Sequence, residues 1–199
     1  MGGMGHPRRR AACVVSTVLA ASLLAGCSPS TTPDPPSPPQ PQTALAVETV
    51  SGAGDLTQET RTELETEVGG VLSDYVVEAF LGDFPREDFV QAFGSFTSGA
   101  ARRAAGDIEQ LTAARVQDAT AVTATGLEAR LSFLVAARDV VGATAALDLA
   151  FDATMPDGTT RPLSLQGRFL LERTDGDWVV YGYDVALDDG SAVAAEVTP

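Results

Sequence analysis

Lysine is absent from this 199-residue chain, and histidine and cysteine nearly so. The single histidine is His6, and the two cysteines are Cys13 and Cys27. Beyond Cys27 the chain has no imidazole, no thiol and no amine side chain. Each absence removes a class of chemistry. Ser-His-Asp and Cys-His catalysis both need an imidazole base. Schiff-base catalysis needs a lysine amine. Zinc sites of the common kind need cysteine or histidine, and disulfides need thiols to pair. An enzyme built from this chain must work with Asp, Glu, Tyr, Arg, Ser or Thr. The Asp-Gly pairs in "DGTTR" and "DGD" lack the spaced carboxylates and closing Glu of an EF-hand loop. No metal and no cofactor is therefore expected.

Positive charge is also scarce. The chain carries 27 acids against 13 arginines, a formal net charge of −14. All the acids, but only ten of the arginines, lie beyond residue 26, where the formal charge is −17. Such a surface disfavours nucleic acid, whose binding rests largely on cations neutralising phosphates. It equally disfavours electrostatic docking on an anionic membrane. Its plain consequence is solubility.

What is present begins with an address. Arg8, Arg9 and Arg10 precede an apolar run from Ala11 to Leu24. That run is shorter than the ~20 residues a membrane span needs, and its layout is that of a secretory signal. It ends in Leu24, Ala25 and Gly26, directly before Cys27. This ending resembles the lipobox of bacterial lipoproteins. The resemblance implies recognition of Leu24, Ala25 and Gly26 by the signal peptidase and cleavage before Cys27. It further implies a diacylglyceryl group on the Cys27 sulfur, so that the lipid bilayer is the first partner. Two acyl chains hold a protein on a membrane stably. The implied location is the outer face of the bacterial plasma membrane, with Sec and twin-arginine export both open. Arginine without lysine, with abundant alanine, further suggests an actinobacterial source.

Residues 28–42 hold seven prolines among Ser, Thr and Gln. Too apolar-poor to fold, such a segment favours extended polyproline II and reaches about 45 Å. It reads as a stalk. The expected division is a leader over 1–26, a lipidated cysteine and stalk over 27–47, a folded domain over 48–188, and a tail over 189–199.

The domain's first half reads helical. Between Thr57 and Leu81, apolar residues at Leu64, Val68, Val71, Leu72, Tyr75 and Ala79 recur in steps of three and four. Gly69-Gly70 predicts a kink or a close packing contact there. A short helix is expected next, with Pro85 in its first turn and Phe89, Val90 and Phe93 turned inward. A third is expected from Thr97 or Ser98 through Leu111. The second half reads as strands. Apolar and polar residues alternate over 127–137, 143–154, 161–173 and 177–187, with a weaker run over 120–125. "PDG" at 156–158 and "DGD" at 175–177 mark hairpin turns. Helices followed by an antiparallel meander make an α+β order.

That order, with the "GDFPREDFVQAFGSFTSGAA" segment and a closing "DGDWVV" strand, resembles the NTF2-like (SnoaL-like, cystatin-like) cone. More narrowly it resembles uncharacterised lipoproteins of that type. The resemblance covers roughly residues 48–188. It implies N-terminal helices packed on a curved antiparallel sheet, with a cavity between them. Tyr75, Phe89, Phe93 and Trp178 are the candidates to line that cavity; core packing is the plainer role for such aromatics. The family includes isomerases, dehydratases, hydrolases and non-enzymatic members, so the fold does not choose the function.

On the last strand strict alternation puts Trp178, Val180, Gly182 and Asp184 on one face. Val179, Tyr181, Tyr183, Val185 and Leu187 fall on the other. Apolar residues on both faces predict a central strand covered on both sides. The Tyr181/Tyr183 face would then need a second subunit or an envelope protein over it. If Trp178 faces the helices, Asp184 points into the cavity, where burial would raise its pKa and suit it to a base. Ketosteroid isomerases pair an Asp base with a Tyr donor, but no residue matches that pattern position by position. The expectation is a lipid-anchored, non-catalytic domain that binds a partner protein or an apolar small molecule. An isomerase-like enzyme using Asp and Tyr in an apolar cavity is the alternative.

Overall fold

The computed structural model describes residues 43–54, 56–137 and 139–191. The leader, Leu24, Ala25, Gly26, Cys27 and the proline tract lie outside these residues, as does most of the tail. A helix, α1, spans Gln58–Phe80. Thr57 caps its start, accepting a hydrogen bond from the Thr60 N–H, which satisfies one of the donors a helix leaves free. Its end is held differently. The Arg86 guanidinium donates to the carbonyls of Glu78 and Leu81, placing a cation where helix carbonyls are unpaired. The same guanidinium lies over the Phe89 ring at 4.5 Å. The stripe predicted for α1 is buried, Val71 partly, and Val76 and Phe80 join it. The helix continues through Gly69-Gly70; the glycine at 69 lets Val47 pack against the helix backbone.

The middle of the chain is less regular than expected. Residues 83–89 form no helix, and a single 3-10 turn spans Val90–Phe93. Phe89 and Phe93 are buried, but Val90 faces out. The third helix is two pieces, α2 (Ser98–Gly106) and α3 (Ile108–Leu111), broken at Asp107. Gly106 has the helix-breaking propensity that accounts for this stop.

The rest is one five-stranded sheet in the order β1-β2-β3-β4-β5. The strands are β1 (Ala46–Ser51), β2 (Ala121–Ala136), β3 (Asp139–Thr154), β4 (Thr160–Thr174) and β5 (Asp177–Asp188). Strands β2 to β5 form an antiparallel meander, and β1 adds to the edge of β2 in parallel. The fold is α+β, with a mostly antiparallel sheet. Strand β1 takes Ala46 and Val47 out of the predicted stalk and into the domain. The weak 120–125 run and the 127–137 run are one strand, joined by a bulge at Thr125. Asp175 and Gly176, both at positive φ, make the tight turn between β4 and β5.

The position of β5 corrects the sequence reading. It is an edge strand rather than a central one. Its pairing with β4 steps from Gly182–Leu170 to Val180–Leu171, leaving Tyr181 unpaired. One extra residue reverses the alternation of the strand. Trp178 and Val180 face the helices, and so do Tyr183 and Leu187, all buried. Tyr181 and Asp184 face out. Apolar residues on both nominal faces therefore reflect one face read through a change of phase. Opposite this segment, Gly167 sits on the inner face at φ 139°, where a Cβ would lie 2.2 Å from the Asp184 carbonyl oxygen. Only glycine lets β4 and β5 approach so closely there.

Candidate functional site

The inner face of the sheet and α1 enclose a core of aromatic rings. Tyr75 meets Phe169 edge to face at 4.8 Å, and Phe96 meets Phe169 at 5.5 Å. Phe80 stacks on Phe151 at 4.4 Å. The Tyr75 hydroxyl donates to the Leu111 carbonyl, and burial holds its pKa well above the ordinary value. The four cavity candidates do not converge on one space. Tyr75 and Phe93 both pack on Phe96. Phe89 packs with Phe84 and Arg86, while Trp178 packs on Phe133. Between α1 and the sheet, these rings fill the region where a cavity was expected.

Asp184 is outside that region. Its side chain is 75% exposed and its carboxylate meets Arg168 at 3.0 Å. The expectation that Asp184 points into a buried cavity is thereby overturned, and the cause is the bulge at Tyr181. Tyr183, expected beside Tyr181 on an outer face, is instead 7% exposed on the inner one. Its hydroxyl donates to Asp107 at 2.8 Å. Arg103 lies 4.6 Å over the same ring and 3.7 Å from Asp107. Burial, then the Asp107 hydrogen bond, pushes the Tyr183 pKa up to about 12. A tyrosine so reluctant to ionise, already donating to a carboxylate, ties β5 to the α2–α3 junction. Sequence reasoning missed this latch because Asp107 became visible as a break between helices only in three dimensions.

At the rim, Glu67 of α1 accepts from the Trp178 indole N–H at 3.0 Å and pairs with Arg173. Arg173 also lies over the Trp178 ring at 5.3 Å. An open cleft of about 470 Å³ adjoins this group, lined by Val71, Gly94, Ser95, Asp177 and Val179. Arg173, the cation beside it, is already paired with Glu67. Among the described residues, no cluster of three or more acidic, His or Cys side chains is placed to hold a metal. No described helix is long and apolar enough to cross a membrane.

The outer face of the sheet offers the other candidate surface. Leu134 is 64% exposed, and Val141 and Tyr181 are each 47% exposed. The three surround a shallow dimple of about 160 Å³ with Ser132, Thr144 and Glu172. Val141 and Tyr181 share a cause. Each is the unpaired residue of a bulge, Val141 between the Leu134–Gly142 and Val135–Val140 pairs. Bulges re-aim side chains, and here two of them turn apolar groups into solvent. The chain matches no known family model and no curated protein sequence.

Proposed function

We propose that this chain is a lipid-anchored protein of the bacterial cell envelope. Its NTF2-like domain serves as a non-catalytic module that binds a partner protein through the outer face of the sheet. The observation that carries this reading is the contrast between a ring-filled interior and the exposed Leu134, Val141 and Tyr181. Apolar groups gathered on an open face favour protein contact. An apolar small molecule, the other expected ligand, would need the space that Tyr75, Phe96 and Phe169 occupy. The NTF2-like reading is supported by the order of elements after the short strand β1, helices and then a long antiparallel meander. The anchor is supported by the basic head, the apolar run and Cys27 in the sequence.

The test uses the full chain in a bacterial host fed a clickable fatty acid. The wild type is expected to carry the label and Cys27→Ser to lose it. An unlabelled wild type of the same abundance would overturn the anchor.

A further inference from the structure

We infer that the occupant of the outer sheet face is a cationic segment of another protein, with an apolar side chain at the Tyr181 end and Arg or Lys residues along the rest. The inference rests on the partner-binding reading above and names the chemistry of the partner.

The charge of the face carries it. Register and alternation set the outward side chains in rows across the strands. Glu128 and Asp148 stand in one row with Gln166. The next row holds Glu48, Arg130, Arg168 and Asp184. Asp152 and Asp188 face the same way beyond Glu128, and Glu172 does so at the apolar end. From the Asp152 row to the Glu172 row the face therefore sets seven acids against two arginines, a formal charge of −5. Arg168 is already paired with Asp184, and Arg130 lies beside Glu48 in the β1–β2 register. Among the described residues, no arginine pairs with Glu128, Asp148, Asp152 or Glu172.

The apolar end supplies the second half of the match. Gly142 lines the dimple between Leu134, Val141 and Tyr181 and adds no side chain there, which leaves room for one bulky group. Glu128 lies six residues before Leu134 on β2, a span of about 20 Å. A helix of about 13 residues covers that distance, and so does an extended segment of about six. The partner's cations are thus expected within that reach of its apolar anchor.

The same charge speaks against other occupants. A second copy would set one acidic face against another, and nucleic acid or an anionic lipid surface would meet like charge. Backbone pairing at the sheet edges competes poorly. At the β1 edge the Glu65 carboxylate holds the Thr49 N–H, and at the β5 edge Val180 exchanges backbone hydrogen bonds with Ser95 and Thr97.

The test places a photoreactive benzophenone side chain at position 181 of the full chain, expressed in its native host. The adduct is digested and the attached segment sequenced by mass spectrometry. The expected segment belongs to a different protein and carries an excess of Arg and Lys within about 13 residues of the attachment point. The same group at position 77, on the exposed side of α1, is expected to give no such adduct. Reversing charge on the face, with Glu128→Lys and Asp148→Lys together, should cut the adduct about tenfold. Reversing two exposed acids of α1, with Glu63→Lys and Asp74→Lys, should leave it within about twofold. Glu128→Gln with Asp148→Asn should fall between, which separates lost charge from lost folding. An adduct to a segment without excess cations, an adduct of two copies, or equal losses in the two reversed pairs would overturn the cationic partner while leaving the face as the contact surface. No adduct at all would overturn both readings.

Discussion

The two faces of the sheet come from the same strands, alternating residue by residue, yet different forces shape them. The inner face is decided by packing. Leu131, Leu149, Leu165 and Phe169 on neighbouring strands are wholly buried, and every ring there has a partner within van der Waals reach. The outer face is decided by charge and by bulges. Its ion pair, Arg168 with Asp184, is well exposed on both sides. Its apolar residues stand out where the ladder slips. The comparison teaches that one residue of slippage carries a side chain from one regime to the other. Tyr181 and Tyr183 are two positions apart and would share a face in a regular strand.

The largest expected difference between the faces is in stability. Phe169→Ala removes a ring that Tyr75 and Phe96 both touch and should cost about 3–5 kcal/mol. Leu134→Ala, on the outer face, should stay within about 0.5 kcal/mol. Urea unfolding of both variants checks the pair; equal losses would break the comparison.

A smaller effect is expected in alkali. The Tyr183 pKa is raised in the folded state, so the folded protein holds that proton more tightly than the unfolded chain does. The stabilisation is complete below about pH 10 and lost as pH rises towards 12. Thermal melts between pH 9 and 12 should fall steeply for the wild type and less so for Tyr183→Phe. Tyr75, buried and shifted the same way, keeps part of the slope in the variant. Identical slopes would mean that Tyr183 is not held against Asp107 as described.

The smallest effect is expected at Asp184. Exposed ion pairs contribute about 0–1 kcal/mol, so Asp184→Asn should shift the urea midpoint barely at all. A large loss would show that Asp184 does more than pair with Arg168 on the surface.

Much of this architecture was legible in the chain. The steps of three and four from Leu64 to Ala79 gave α1, and the Thr57 cap marked its start. Long alternating runs and two Asp-Gly turns gave the four meander strands, because period two and turn chemistry are local signals. What stayed hidden depends on distant partners. Strand β1 is six residues beside a proline tract, with no buried residue to betray it. The bulge at Tyr181 has no signature of its own. Its trace is a step of three, from Val180 to Tyr183, inside a period of two. Reading that step as a change of phase would have turned Asp184 outward. The candidate site suffered most, since every inference about a cavity wall hung on which way β5 faced.

The parallel pairing of β1 with β2 has a mechanical consequence. The chain runs from Thr43, whose hydroxyl bonds the Ala124 carbonyl, along β2 to Ser51. A pull on the residues before Thr43 therefore acts along the strand axis. It loads the ladder in shear, so that the Ala46-to-Ser51 hydrogen bonds share the force instead of opening one by one.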